Sequence, residues 1–162
     1  WCYTVRMLFL IKVLTVLAAV GVIFGFVRTW QLEHSAKQEL FVKSPAPNPA
    51  PDGLYSGSVE GPKVSWLGKK FSSATQTGIN VFDDGNGTRG ERYPFKTTFS
   101  KGLRDTNVDV LAIDYNIPDE PFWMHPILDE IVQTGEGTYL GKLHVRIIPG
   151  YPFTLAFFEL SR

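Results

Sequence analysis

At 162 residues the chain has room for one folded domain besides any anchor. Its 16 Lys plus Arg balance 16 Asp plus Glu, which removes the overall field that would draw it to nucleic acid, an anionic surface or an acidic substrate. The sole cysteine, Cys2, excludes an intrachain disulfide, and the 12 Phe, 6 Tyr and 4 Trp suit a β domain with a bulky interior.

Residues 1–6 form a short flank. From Met7 to Val27 the chain is apolar with Lys12 as its one charge, and this length matches the roughly 20 residues that cross a bilayer core. The stem of Lys12 can carry its ammonium back to the headgroups beside Arg6, while Arg28 and Trp30 mark the opposite interface. No A-x-A cleavage site follows Val27, so the segment reads as a retained single-pass transmembrane helix rather than a signal peptide. Ala18, Gly21 and Gly25 make a ridge of small residues on which another helix could pack. The domain that follows is expected on the non-cytoplasmic side.

Residues 28–52 begin with helix formers and end in SPAPNPAPD. Prolines at 45, 47, 49 and 51 predict a semi-rigid spacer that holds the domain off the membrane. Residues 53–162 alternate short β-prone runs with Gly, Pro and Asn-Gly punctuation, the pattern of a small antiparallel β-barrel or sandwich. The clearest hairpin brackets Asn86-Gly87, and in its second arm Tyr93, Phe95, Thr97 and Phe99 share one face. Pro94 places that arm at an edge or a bulge. Ile127, Leu128, Ile131 and Val132 have helical spacing after Pro126, which predicts a short helix with Asp129 and Glu130 complementing its N-terminus. In the next strand Leu143, Val145 and Ile147 alternate with Lys142, His144 and Arg146, a basic stripe read as a solvated face. The last strand, FTLAFFEL, is apolar on both sides and needs cover on both.

Gly53-Leu54-Tyr55, Ile113-Asp114-Tyr115 and Arg146 occur in an order that resembles the G-x-W, T-D-Y and arginine signposts of lipocalins. Tyr55 stands in the place of the tryptophan and Ile113 in that of the threonine. The resemblance spans the β domain and implies a small lipocalin-like (calycin-type) barrel whose interior can take an apolar molecule.

No chemistry-bearing motif stands out. There is no G-x-S-x-G, and Cys2 lies outside the domain, which disfavours covalent catalysis. His125 and Asp129 are too few for a metal, and no cofactor is implied. Asp114, Tyr115, His125 and Asp129 are the groups an acid–base enzyme would use. Asn86-Gly87-Thr88 is an N-glycosylation sequon. The leading expectation is a non-enzymatic accessory subunit of a larger membrane complex, with Phe122, Trp123, Met124, Phe157 and Phe158 as partner or ligand contacts. The alternative is a membrane-tethered carrier of a lipid, pigment or other apolar molecule, which requires a cavity of a few hundred cubic ångströms.

Overall fold

A computed structural model describes residues 2–60 and 64–162, with side chains from residue 6 onward. Two helices, α1 (Cys2–Glu33) and α2 (Ala36–Lys43), precede eight strands: β1 (Gly53–Val59), β2 (Trp66–Ser72), β3 (Thr77–Gly85), β4 (Thr88–Lys101), β5 (Asp109–Asp114), β6 (Ile127–Gly135), β7 (Thr138–Ile148) and β8 (Tyr151–Ser161). The strands pair in chain order, each antiparallel to the next, and β8 returns to β1 to close a barrel. The fold is mainly β with one long apolar helix at its N-terminus.

Helix α1 is long and apolar enough to cross a membrane. Its 32 residues extend about 48 Å, and its side chains from Met7 to Phe24 are largely uncovered. Its C-terminal third packs on the barrel because β8 leaves an edge there. Among the described residues, pairing with β1 reaches only as far as Phe158. The exposed edge beyond it is satisfied by α1: Thr29 Oγ1 accepts from Thr154 N at 3.0 Å, and Arg28 Nε donates to the Leu155 carbonyl at 3.0 Å. Gly25 allows this approach, since a Cβ there would meet the Phe153 ring at 2.9 Å.

Ser35 caps α2 by accepting from Gln38 N, and α2 buries Phe41 completely against Phe157, 6.3 Å between ring centroids. The proline-rich stretch is no spacer. Gln133 N donates to the Pro45 carbonyl at 2.8 Å, Asn48 N donates to Gln133 Oε1 at 2.9 Å, and Pro47 and Pro51 are buried. It straps the barrel, since a strand lying beside it offers both a donor and an acceptor.

Two other expectations are corrected. Residues 127–132 are strand, not helix: they pair with β5 and β7 and are covered on both faces. A doubly covered strand needs apolar residues on each side, and two interleaved period-2 sets mimicked helical spacing. Lys142 and His144 lie on no solvated stripe, being about 1% and 0% exposed beneath the helices and the 102–108 loop. There Lys142 pairs with Asp105, His144 Nε2 meets Glu130 Oε2 at 3.2 Å, and Glu130 accepts from Leu103 N. Arg146, half-buried, pairs with Asp114 at 2.7 Å.

Other expectations hold. Asn86 and Gly87 both have positive φ (53° and 77°), the requirement of a two-residue hairpin turn of the primed type. The register between β3 and β4 shifts at Ile79/Asn80, so Tyr93 bulges beside Pro94 with φ 57°. Strand β8 is covered on both faces, with Phe158 inside the barrel and Phe157 beneath the helices.

Candidate functional site

The barrel interior is divided into two halves. One end, where the chain turns at 73–76 and 136–137, is plugged by Tyr55, Phe71, Phe95 and Tyr139, stacked edge to face at 5.3–5.8 Å. The other end is hollow. It is the end at which β1 finishes, the 86–87 turn lies, β5 connects to β6, and β8 begins. A cavity of about 340 Å³ occupies it, walled by Trp66, Phe82, Tyr93, Met124, Leu143 and Phe158.

The cavity floor is polar and charged. Lys69, Asn80, Tyr115 and Asp129 come from β2, β3, the end of β5 and β6, and each is at most 5% exposed. Lys69 and Trp66 both face inward although three residues apart, because the β2–β3 register shifts between Trp66 and Gly68. Without that bulge a strand would send them to opposite faces.

Hydrogen bonds account for nearly every polar atom of the floor. The three ammonium protons of Lys69 go to Asn80 Oδ1 at 2.8 Å, Tyr115 Oη at 2.5 Å and Asp129 Oδ2 at 2.8 Å. Asn80 Oδ1 also accepts from the Trp66 indole at 3.0 Å, and its amide donates to the Tyr93 carbonyl at 2.9 Å and to Tyr115 Oη at 3.0 Å. Donor-only neighbours on one side and acceptors on the other fix which way this amide points. The Tyr115 hydroxyl donates to Asp129 Oδ2 at 3.0 Å. Aromatic faces of Trp66, Phe95, Tyr115 and Phe158 surround the ammonium at 5.2–5.5 Å. One group is left over: Asp129 Oδ1 is buried and has no hydrogen-bond partner among the described residues.

Burial lowers the Lys69 pKa against the opposing pull of Asp129, and burial, reinforced by Asp129, raises that of Tyr115 well above 10.0. Tyr139, in the aromatic plug, is pushed up to about 12, first by burial and then by Tyr55. These tyrosines keep a proton in the folded state that the unfolded chain loses, so stability should fall as pH rises from about 10 towards about 12. Tyrosinate absorbance during an alkaline titration should show both ionising late, and Tyr139→Phe should flatten the decline. A decline of unchanged steepness would remove Tyr139 as its source.

Every Lys69 proton is engaged, and the Tyr115 proton is committed to Asp129. Among the described residues, the floor atom left without a partner is the acceptor Asp129 Oδ1. Among the described residues no group of three His, Cys, Asp or Glu side chains could hold a metal ion.

The residues singled out from sequence are dispersed. Met124 and Phe158 line the cavity, Trp123 packs edge to face on Tyr93 at 5.5 Å, and Phe122 is 82% exposed. Phe157 lies beneath the helices, out of reach of the cavity, and Gly25 is occupied by Phe153 of the same chain. Gly21 meets nothing within 4 Å among the described residues, and Ala18 is exposed. Of the acid–base candidates, Tyr115 and Asp129 meet in the floor. Asp114 pairs outside with Arg146, and His125 Nε2 bonds the Glu120 carbonyl at 2.9 Å. Lys69, Asn80 and Trp66 belong to no motif in the sequence.

These features define a class: an eight-stranded up-and-down antiparallel barrel, half filled and half hollow, with a buried polar floor. No family model matches the chain, and no curated protein does. A solved structure described as "Crystal structure of protein from Thermomonospora curvata" is similar, with a TM-score of 0.58 and 18% identity over 77% of this chain and 84% of that one. The likeness is one of fold.

Proposed function

We propose that the chain is a membrane-anchored, lipocalin-like binding protein for a small apolar molecule that carries a hydrogen-bond donor. The observation that carries this reading is the cavity of about 340 Å³, within the usual range of ligand sites, above a buried polar floor to which Asp129 belongs. Apolar walls select an apolar body. Asp129, which lines the cavity, would select a hydroxyl or N–H head, because its buried unpaired Oδ1 is costly and a small shift that lets a donor meet it relieves that cost. The apolar length of α1 supports the anchor.

The uncovered face of α1 around Ala18 and Gly21 supports the accessory-subunit reading to a lesser degree. One purification distinguishes the two. Extracted in mild detergent through its own helix, the protein should yield a small molecule in near-equal amount in its organic extract. Stoichiometric partner subunits with an empty extract would replace the carrier reading with the accessory one.

The head-group requirement has a ligand-side test that leaves the fold untouched. A medium-chain primary alcohol should bind roughly 10- to 100-fold more tightly than its methyl ether, the value of one hydrogen bond to a charged acceptor. Equal affinities would assign Asp129 no part in recognition.

A further inference from the structure

The position of α1 on the barrel says which way the cavity faces. The helix meets β8 at its beginning: Gly25 lies against Phe153, and Phe26 stacks on Tyr151 at 4.8 Å and on Phe153 at 5.2 Å. Further along, Thr29 reaches Thr154 and Leu32 joins the cluster of Phe157, so α1 and β8 run in the same direction. The end where β8 begins, which is the hollow end, therefore lies towards the apolar stretch of α1. From Met7 to Gly25 the helix rises about 27 Å, close to the roughly 30 Å thickness of a hydrocarbon core. A bilayer that accommodates this stretch has its surface level with the cavity mouth.

Part of the rim of that end is apolar, beside a hairpin turn that exposes Asp83, Asp84 and Arg89. Val64 is 52% exposed, Phe122 82%, Trp123 50% and Ile147 57%. Val64 lines the cavity itself, and Met124, the next residue after Trp123, turns inward to line it as well. The exposure of Phe122 is not looseness in the β5–β6 connection. Arg146 Nη2 donates to the His125 carbonyl at 3.0 Å and to Asp114 at 2.7 Å, and His125 is tied to Glu120. The connection is braced, and it holds a phenylalanine out. Leu54 and Phe99, exposed elsewhere on the barrel, line no part of this cavity.

We propose that the hollow end of the barrel sits in the membrane interface, with Phe122 and Trp123 inserted at the headgroup boundary, so that the cavity takes its ligand directly from the bilayer. Trp and other amphipathic aromatic side chains favour that depth. An apolar ligand then moves from acyl chains to the cavity along Val64, Trp123 and Met124 without crossing water. This inference rests on the reading of the chain as an anchored carrier.

The test uses the full chain reconstituted in phosphatidylcholine vesicles, with and without bromine on the acyl chains near the headgroups. Brominated lipid should quench the wild-type protein, and Trp123→Phe should lose a quenched component, leaving that of the other tryptophans. In parallel, Phe122→Ser should slow uptake of the primary alcohol from vesicles about tenfold, with unchanged equilibrium binding in detergent. Unchanged quenching in Trp123→Phe, with uptake by Phe122→Ser at the wild-type rate, would overturn the inference. Failure of the underlying reading looks different: the chain would be stripped from vesicles by alkaline carbonate, or the alcohol would not bind in detergent at all.

Discussion

Lys69→Met should destabilise the barrel by about 3–5 kcal/mol, because it leaves the Asp129 carboxylate buried without its cation. Unfolding by urea of the full chain in detergent micelles, followed by far-ultraviolet circular dichroism, measures the loss. The double variant Lys69→Met with Asp129→Leu should recover most of it, since replacing a buried pair by apolar groups of similar volume is often neutral. The pair's own pH dependence has a definite sign. Burial lowers the folded pKa of Lys69 below 10.5, so the unfolded chain binds the proton more tightly. Lys69 therefore contributes a rise in stability as pH climbs through the window between its lowered folded value and 10.5, opposite in sign to the tyrosines, and Lys69→Met should abolish that rise. A single variant as stable as the wild type would mean that the ion pair carries no energetic weight in the folded barrel.

Gly68→Ala should be the most damaging single methyl group in the domain, costing at least about 3 kcal/mol and exceeding any surface substitution. Gly68 has φ 139°, and a Cβ there would collide with the Tyr55 carbonyl oxygen and stand 2.8 Å from Gly57 N. Both obstacles are backbone, so no side chain can move aside. Relief requires β1 and β2 to part or the bulge to be lost, and losing the bulge turns Lys69 away from Asp129. Gly150→Ala separates the causes: its φ is 76° with nothing within 4 Å, so it should cost only the conformational term, about 1–2 kcal/mol. If thermal melting ranked the two variants equally, the close approach of β1 to Gly68 would have no energetic weight.

What was legible in the sequence was whatever depends on near neighbours along the chain. The apolar run from Met7, the Asn86-Gly87 turn, the bulge beside Pro94 and the doubly covered last strand all follow from local composition and period. Hydrophobic length and backbone conformational preference act within a few residues, so one chain suffices to read them. The floor of the cavity was not legible. Asp129 and Glu130 are adjacent, yet one enters the barrel to meet Lys69 and the other lies outside to meet His144. Lys69 and Lys70 diverge in the same way, one at 2% side-chain exposure and the other at 55%. Which of two neighbours goes inward is set by strand register, and register here is shifted by bulges at Gly68 and Tyr93 that depend on partner strands. The covering of Lys142 and His144 was decided further away still, by a helix more than a hundred residues earlier in the chain. By itself the sequence determined an apolar helix joined to a small β-barrel. Only the tertiary structure decided that the barrel is half hollow, that its floor is charged, and that its mouth turns towards the helix's apolar end, because burial of charge is permitted only where distant strands bring the compensating partner.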